Sequence, residues 1–455
     1  MAHRRPPAVT PGGTAAATSS GTAAVIGAGI GGLLAASALS KMFRNVVVLE
    51  RDTLPQTATT RRCVPQANHV HALLASGQAA MEDLLPGFVD ELLDLGAIAG
   101  DALADIRWVV DGQRLARGAS GIPGILASRS LIEWQMRQRI ERLPNVRILD
   151  RSDVIGLRGD RKAVSGVNMQ RQPIGSTELV PADFVVDSTG RSSRSVTWLG
   201  RLGFRPPPES QLAVDVSYAT RHFLLDASAL GGDSGIGMAP GPSNPRSGFM
   251  GRQEDGTWIV TLAGYGNDVP PLDADGFLEF TKSFPTPDMH DALAAAQALD
   301  EGVRYRIPTT IRRHYSADDL PPNYVPFADG ICSFNPIYGQ GMSVAAVEAT
   351  ILRDCLQSST ADLTRQFVRK ANRCIDAAWN LTVDNDLRIP SVPGQRSLRV
   401  RLAGAYASRL DRAAAVDPAV GSAFLRVTHL LDRPRKLFRP TTVLRVLLAD
   451  LTRTR

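Results

Sequence analysis

The first apolar positions of the chain follow the pattern of a strand, a helix and a second strand. Residues 23–26 are a short apolar run, residues 33–42 are mostly helix formers, and residues 46–49 are a second apolar run that ends at Glu50. Short, uninterrupted apolar runs are typical of parallel strands that are buried on both faces. The pattern therefore predicts a β-α-β unit.

Two helices and a further strand are predicted in the same way. Residues 184–186 form an apolar run that ends at Asp187, and residues 131–140 place apolar side chains on one helical face. From Met342 onwards, apolar residues recur at helical spacing as far as Cys355. Strands alternating with helices predict an α/β protein with a Rossmann-like domain.

Residues 104–118, 212–225 and 250–266 show a different pattern, which is typical of antiparallel strands. Asp-Gly pairs at 111–112 and 255–256 predict hairpin turns, and residues 212–225 alternate as one long strand. We interpret these stretches as an inserted β-sheet domain. Five of its aromatic residues are candidates for the wall of a pocket, although for any single one packing in the core is the favoured expectation: Trp108, Tyr218, Phe223, Phe249 and Trp258.

Composition limits the class of protein. The chain has 455 residues, of which 44% are hydrophobic and 21% charged, as expected for a globular protein of one to three domains. Residues 1–22 are rich in Pro, Ala, Thr, Ser and Gly and predict a disordered leader; no apolar stretch follows Arg4 and Arg5, so an export signal is not expected. Four cysteines without C-x-x-C spacing favour reduced thiols and a cytoplasmic protein without a metal site.

The positive charge is concentrated at the C-terminus. The net charge is +6, but residues 396–455 contain 13 Lys and Arg against four Asp. We therefore do not predict nucleic-acid binding by the whole protein. Beyond Pro440, an apolar stripe of Val443, Leu444, Leu447, Leu448 and Leu451 predicts an amphipathic helix. It is expected to dock on the protein body, with pairing to another chain or weak contact with an anionic membrane as alternatives.

Glycine spacing within the β-α-β unit predicts dinucleotide binding. Gly27, Gly29 and Gly32 give G-x-G-x-x-G, and Glu50 follows 23 residues after Gly27. In this motif the glycines form a tight turn, let the backbone approach a pyrophosphate, and allow the helix to pack closely on the strand. The acid accepts hydrogen bonds from the ribose, which favours FAD or NAD over NADP.

Residues 328–349, "ADGICSFNPIYGQGMSVAAVEA", predict a second place where the backbone approaches a ligand. Asp329 precedes an Asn335-Pro336 pair, and Gly339 and Gly341 stand at the start of a helix. A helix start favours negative charge on whatever it faces. Two smaller features accompany it: Gln66, His69 and His71 precede a helix of about ten residues, and Arg129 begins the helix of residues 131–140.

These motifs together resemble the group A FAD-dependent monooxygenases, which have the p-hydroxybenzoate hydroxylase-like fold. The resemblance covers about residues 23–380. It is most specific in V-P-Q-x-x-H-x-H, at residues 64–71, and F-N-P-x-Y-G-x-G-M-S, at residues 334–343, which are similar to motifs of the polyene epoxidases of polyether biosynthesis. The resemblance implies an FAD site with Gln66, His69 and His71 near the flavin ring, and it assigns the cofactor to Gly27, Gly29, Gly32, Glu50, Arg51, Val64, Arg129, Asp187, Asp329, Pro336, Gly339, Gly341 and Met342.

The chain departs from the family motifs at two positions. Ala328 stands where the resemblance places a glycine before the acid Asp329, and Ser192 stands where many relatives have a second glycine. An alanine is tolerated at such a position unless φ is positive. The backbone at Ala328 is therefore the first conformation to inspect.

The resemblance also implies a domain division and a reaction. The FAD-binding domain would be discontinuous, over residues 23–75, 126–205 and 305–380, with substrate-domain segments 76–125 and 206–304 and a basic helical region at 381–455. NAD(P)H would reduce FAD transiently, and O2 would form a flavin C4a-hydroperoxide that epoxidises or hydroxylates a lipophilic polyene, terpenoid or polyketide. The alternatives are an alkene reductase of the geranylgeranyl-reductase type and a non-catalytic FAD-binding protein. A flavin halogenase lacks support because no W-x-W-x-I-P run is present, and the oligomeric state is left open.

Overall fold

The computed structural model describes residues 19–173, 175–226, 228–358 and 362–453. Most of the predicted leader, residues 1–18, lies outside the described residues. Its last four residues are not part of a leader, because the first strand begins at Ser19, four residues before the predicted start.

The described chain alternates between strands and helices in its first half and ends in helices. The strands are β1 (Ser19–Ile26), β2 (Phe43–Leu49), β3 (Ile98–Asp101), β4 (Ile106–Val110), β5 (Gln113–Arg114), β6 (Pro123–Leu126), β7 (Val146–Leu149), β8 (Ser152–Gly159), β9 (Val164–Arg171), β10 (Thr177–Pro181), β11 (Phe184–Asp187), β12 (Glu209–Leu212), β13 (Val216–Leu224), β14 (Gly235–Ala239), β15 (Ser247–Arg252), β16 (Trp258–Tyr265), β17 (Gln297–Ala298), β18 (Val303–Ile307), β19 (Thr310–Arg313), β20 (Tyr324–Pro326) and β21 (Cys332–Ser333). The α-helices are α1 (Ile30–Ser40), α2 (Ala75–Leu84), α3 (Phe88–Asp94), α4 (Arg129–Glu141), α5 (Ser195–Arg201), α6 (Ala274–Thr281), α7 (Asp288–Ala294), α8 (Gly341–Ser358), α9 (Leu363–Asp386), α10 (Leu398–Ala414), α11 (Pro418–Thr428) and α12 (Pro440–Arg453).

A five-stranded parallel sheet in the order β20-β11-β1-β2-β7 forms the centre of the Rossmann-like domain. Val25 of β1 lies between Val186 of β11 and Val48 of β2, and all three side chains are fully buried. Helices α1 and α8 pack against each other on this sheet. The β-α-β unit and the strand before Asp187 are therefore where the apolar runs predict them.

A mixed eight-stranded sheet forms the second layer, in the order β17-β13-β16-β15-β14-β4-β5 with β18 also paired to β13. Both predicted hairpins are present, because β4 pairs with β5 across residues 111–112 and β15 pairs with β16 across residues 253–257. The predicted long strand over residues 212–225 is present in part, because β13 covers residues 216–224. The chain is interrupted before it: Asp215 has a left-handed φ of 45°, and β12, which ends at Leu212, belongs to a different sheet.

The C-terminal region, α10 to α12, packs on the β4 side of the second sheet. Leu410 and Ala413 of α10 share an apolar cluster with Val420 of α11 and Val446 of α12. Arg388, which follows α9, also contacts Asp411 of α10 at 3.2 Å. The prediction of an α/β protein with a Rossmann-like domain, an inserted sheet and C-terminal helices is thus confirmed.

Membrane-crossing helices are not found in the part of the chain that the structure describes, since no helix there is both long and apolar enough.

Candidate functional site

A cavity of about 1020 Å³ lies between the Rossmann-like domain and the second sheet. One end of it is lined by glycines and charged residues from the turns after β1, β2 and β20. The other end is lined mainly by apolar and aromatic side chains. Helices α8, α9 and α11 contribute further wall residues.

The turn after β1 is shaped for close approach of a ligand. Gly27 has a φ of 97° and its N–H donates to the carbonyl of Leu49, which fixes the turn against β2. Gly29 precedes α1 and lines the cavity. A Cβ on Gly32 would lie 1.8 Å from the carbonyl oxygen of Gly27, so only glycine lets α1 begin this close to β1. These observations agree with the tight turn predicted for Gly27 and the close packing predicted for Gly32, while the approach of Gly29 to a pyrophosphate stays a prediction.

Charged groups at this end form a chain of ion pairs. The carboxylate of Glu50 accepts from the N–H of Ala28 at 2.8 Å and pairs with Arg61 at 3.0 Å. Arg61 also pairs with Glu133 at 2.7 Å, and Glu133 in turn pairs with Arg129 at 3.3 Å. Burial lowers the pKa of Arg129, while the charges of Glu133 and Asp329 counteract it. Sequence reasoning missed Arg61, although it connects two predicted site residues.

Asp329 lies in the second glycine-rich turn, at residues 328–341, and faces this series of ion pairs. Burial raises the pKa of its carboxyl, and the nearby charges of Arg129 and Arg191 oppose that shift. A Cβ on Gly341 would lie 3.7 Å from Asp329 Oδ1, so the carboxyl stands beside the first residue of α8. Gly339 has a φ of 64°, and a Cβ there would come within 2.9 Å of Ala72. Gly339 is therefore required by both space and backbone conformation, whereas a methyl group at Gly341 would make only an ordinary van der Waals contact.

Ala328 has a left-handed φ of 52°, the condition under which its methyl group is strained. Its N–H donates to Glu348 Oε2 at 3.0 Å, and this contact from α8 supports the unusual conformation. Glu348 is fully buried, and burial raises its pKa to about 8. Its other carboxyl oxygen has no hydrogen-bond partner among the described residues.

Asp386, the last residue of α9, holds the loop between Asn335 and Gly339. Its Oδ1 accepts from Asn335 at 2.8 Å, from the hydroxyl of Tyr338 at 2.9 Å and from that of Tyr265 at 3.2 Å. Burial raises the pKa of Asp386 to about 6, and these three donors counteract the shift. Sequence reasoning missed this residue, because nothing in the local pattern connects it to a loop some 50 residues earlier.

Asp187 is not in the cavity wall. It is fully buried and accepts from Thr189, Ser193, Ser195 and Tyr324. Its carboxylate thereby ties together the turn whose backbone, at residues 188–192, does line the cavity. Asp187 is thus not among the residues that line the cavity, and its carboxylate already accepts from four side chains or backbone groups of the chain, so its predicted role in binding the cofactor stays a prediction.

His69 and His71 both line the cavity and are neutral near pH 7. Burial lowers the pKa of His69 to about 4 and that of His71 to about 3. Nδ1 of His69 is 2.7 Å from the hydroxyl of Thr220, and its ring packs edge-on against Tyr218. Nδ1 of His71 lies 2.9 Å from the carbonyl oxygen of His69, to which it donates when that nitrogen is protonated. Neutral imidazoles in an enclosed cavity can orient a ligand through hydrogen bonds without adding charge.

The apolar end combines side chains from the sheet with side chains from the C-terminal region. Three of the five predicted wall residues are here, whereas Phe223 and Trp258 belong to the core under α6. The C-terminal region was not expected to reach the cavity, yet α11 contributes to its wall. The wall residues at this end include Trp108, Tyr218, Met238, Phe249, Tyr305, Leu381, Phe424, Leu425 and His429.

Most of the predicted site residues come together in this one cavity. Gly32 and Asp187 are the exceptions, and both stand directly behind its wall. The predicted residues that line it are Gly27, Gly29, Glu50, Arg51, Val64, Gln66, His69, His71, Arg129, Asp329, Pro336, Gly339, Gly341 and Met342.

The charged end fits a dinucleotide such as FAD. Nε of Arg129 is buried without a hydrogen-bond partner among the described residues, in the same cavity as the start of α1. A helix start and an arginine donor are the groups that hold a pyrophosphate. Glu50 stands at the end of β2, where a ribose is bound in this fold.

Comparisons with known proteins agree with this geometry. A family described as an NAD(P)-binding Rossmann-like domain matches residues 25–90. The fold is shared with a flavoprotein/dehydrogenase from Cytophaga hutchinsonii (TM-score 0.69, 12% identity, 95% of this chain and 99% of that chain). It is also shared with p-nitrophenol 4-monooxygenase PnpA from Pseudomonas putida (TM-score 0.65, 17% identity, 91% of this chain and 98% of that chain).

The fold is thus that of the p-hydroxybenzoate hydroxylase-like flavoproteins, a structural family of flavin-dependent monooxygenases and halogenases. Protein Rv3254 of Mycobacterium tuberculosis is 30% identical over 426 residues, which are 89% of this chain and 88% of that protein. The chain belongs to the same family as Protein Rv3254. The narrower resemblance to polyene epoxidases is carried by the sequence motifs alone.

Proposed function

We propose that the protein is an FAD-dependent monooxygenase that uses NAD(P)H and O2 to epoxidise or hydroxylate a lipophilic secondary metabolite, such as a polyene, terpenoid or polyketide. One observation carries the proposal: a single cavity is lined both by the glycine turns and charged residues that would hold a dinucleotide and by apolar and aromatic side chains. A cofactor held by the first set of residues would meet a lipophilic substrate at the second set without an intervening wall.

The binding roles follow from the charged end. Arg129 and the start of α1 would hold the pyrophosphate, Glu50 would accept from the ribose, and Asp329 would accept from the ribityl chain. When bound, FAD would supply the redox chemistry, passing electrons from NAD(P)H to O2 so that one oxygen atom enters the substrate and the other leaves as water.

The other residues of the cavity would orient the reactants and exclude water. The first N–H groups of α8, near Gly341, would favour negative charge on a flavin ring bound beside them. His69 and His71 stay neutral because burial lowers the pKa of both, so they offer hydrogen bonds and no competing charge. Trp108, Phe249 and their apolar neighbours supply a dry surface for an alkene or an activated ring.

The experiment is a turnover assay with purified protein reconstituted with FAD. The protein should be yellow, should oxidise NAD(P)H with O2 uptake, and should transfer label from ¹⁸O2 to a lipophilic alkene or arene. A colourless protein that cannot be loaded with FAD would contradict the proposal.

The same assay separates the alternatives. A saturated product without O2 uptake would assign the protein to the alkene reductases of the geranylgeranyl-reductase type. A loaded protein that never oxidises NAD(P)H would be a non-catalytic FAD-binding protein.

A further inference from the structure

Large apolar side chains exposed on the surface are concentrated in the C-terminal region. Of the thirteen such side chains in the described chain, seven lie between Leu398 and Leu448. Single exposed apolar residues are normal on a protein surface, but a cluster of them marks an interaction site. We define the leucine face as the side chains of Leu398, Leu402, Phe438, Leu444, Leu447 and Leu448.

The orientation of α12 creates half of this face. The helix packs on α10 and α11 through Val446 and Ala449, which are 1% and 8% exposed. Leu444, Leu447 and Leu448 follow at the i, i+3 and i+4 positions of the opposite side and are 48–58% exposed. The helix therefore does dock on the body as expected, but its leucine stripe points to solvent; Leu451 lies outside the described side chains.

Helix α10 supplies the other half. Leu398 and Leu402 are one turn apart on its outer side and are 64% and 62% exposed. Tyr406, one further turn along, stacks on Phe438 with ring centroids 4.6 Å apart. Because Phe438 lies two residues before α12, this stacked pair connects the apolar residues of α10 with the start of α12.

The charges around the leucine face select its partner. Arg401, Arg433, Arg435 and Arg439 are exposed and form no ion pair within the described part of the chain. In a second copy of the chain docked face to face, these arginines would lie close to the same arginines of the first copy. The repulsion between like charges disfavours self-association. Exposed leucines bordered by arginines instead match an interface of hydrocarbon and anionic headgroups.

We infer that the leucine face docks the protein on an anionic membrane surface, with the leucines in the acyl boundary and the arginines on the headgroups. The position of α11 gives this contact a use, because it packs on α10 and lines the cavity through Phe424 and Leu425. A lipophilic substrate could then be drawn from the membrane next to the cavity wall. The inference goes beyond the proposed reaction and does not require it.

The test is vesicle flotation of the full chain loaded with FAD, or of the full chain as purified if it binds none. Vesicles of phosphatidylcholine alone are compared with vesicles that also contain phosphatidylglycerol, at low and high salt. We expect binding only to the anionic vesicles, weakened by salt because surface charges are screened. Replacing Leu444, Leu447 and Leu448 together by serine should weaken vesicle binding at least tenfold. The single variants Arg435→Gln and Arg439→Gln should each weaken vesicle binding roughly fivefold.

Controls separate surface effects from misfolding. Leu179→Ser and Leu224→Ser remove leucines of similar exposure, 51% and 52%, outside the leucine face, and vesicle binding should be unchanged. The thermal melting temperature of every variant should match that of the wild type. Vesicle binding by the triple serine variant equal to that of the wild type would overturn the inference.

Two other results would assign the leucine face to a different partner. A dimer in light scattering that dissociates in the triple serine variant would assign it to a second copy of the chain. No binding to any vesicle, together with salt-sensitive binding to polyglutamate, would assign it to an acidic protein.

Discussion

The two glycine-containing turns of the charged end do similar work but are supported differently. The turn at residues 27–32 is held by its immediate surroundings, since Gly27 bonds to the neighbouring strand and Gly32 allows α1 to touch β1. The turn at residues 328–341 is held by the two long helices that follow it: Glu348 of α8 accepts from its backbone at one end, and Asp386 at the end of α9 accepts from Tyr338 near the other. The supports of the first turn thus lie within one β-α-β unit, whereas those of the second extend to Asp386, some 50 residues further along the chain.

The sharpest way to break the first turn is to fill its closest contact. Gly32→Ala would place a methyl group 1.8 Å from the carbonyl oxygen of Gly27, so α1 must move away from β1. We expect a loss of about 3 kcal/mol or more in the free energy of unfolding, with loss of FAD binding. Chemical denaturation and flavin content measure both.

Gly200→Ala is the matched control. A Cβ at Gly200 meets nothing within 4 Å and lies in α5, so this substitution should stabilise the protein by about 0.5–1 kcal/mol. An equal change in the free energy of unfolding of Gly32→Ala and Gly200→Ala would mean that α1 can accept a methyl group at residue 32, against what the structure indicates.

The second turn should fail when its distant support is removed. Asp386→Ala leaves the buried donors of Asn335, Tyr338 and Tyr265 without their acceptor, which should cost roughly 2–4 kcal/mol. Asp386→Asn keeps one acceptor oxygen and should cost less. Denaturant melts and the absorption spectrum of bound flavin report stability and loop position separately.

A carboxylate nearby on the same helix provides the comparison for Asp386. Asp384 pairs with the exposed Arg399, so Asp384→Ala should change stability by less than about 1 kcal/mol and leave the flavin spectrum intact. An unchanged spectrum and stability in Asp386→Ala as well would show that the loop holds itself.

The pH dependence of the second turn should follow Glu348. Burial raises its pKa to about 8 from an ordinary 4.5, so its contribution to stability is fully present below about pH 4.5 and is lost as the pH rises through about 8. Glu348→Gln keeps the acceptor for Ala328 but cannot ionise. Relative to the wild type, it should gain stability in thermal melts as the pH rises from about 4.5 to about 8, and the gain should level off above pH 8.

Glu279→Gln is the control for this series, because Glu279 is exposed and pairs only with Lys282. Its difference from the wild type should be small at every pH. A difference for Glu348→Gln that does not change with pH would contradict the raised pKa.

The smallest expected effect is at Ala328. Because its φ is 52°, Ala328→Gly relieves backbone strain and should stabilise the protein by roughly 0.5–1 kcal/mol, after allowance for the greater entropy of the unfolded chain. Ala405→Gly, on the exposed side of α10, should instead destabilise it by about 1 kcal/mol. Changes of opposite sign in the free energy of unfolding of the two variants, measured by chemical denaturation, would confirm the strain at Ala328. Changes of the same sign would refute it.

This contrast also explains how much the sequence could predict. The β-α-β unit, the strand before Asp187 and the hairpin turn at Asp111 follow from periodicity and turn residues, which are properties of neighbouring positions. The contacts of Asp386 and Arg61 are between segments far apart in sequence, and no periodic pattern identifies them. Asp187 shows the same limit. The sequence motif located its turn, but it could not show the side chains that surround its carboxylate.

The orientation of α12 is a second lesson of this kind. Its leucine stripe is the stronger apolar signal, but Val446 and Ala449 are the residues that pack on the body of the protein. Helical periodicity predicts a helix with two faces that are able to pack, but it does not show which of the two packs on the body of the protein.

The wall that α11 contributes to the cavity has a consequence for how such proteins diverge. Its residues come from a part of the chain that adds no strand to the parallel sheet, so mutations at Phe424 or Leu425 can reshape the far end of the cavity while the dinucleotide end is inherited unchanged. A gene duplicate could thus acquire a new substrate by drift in one short helix. Relatives with the same glycine turns but a different α11 can therefore be expected to differ in the ligand that this end of the cavity accepts.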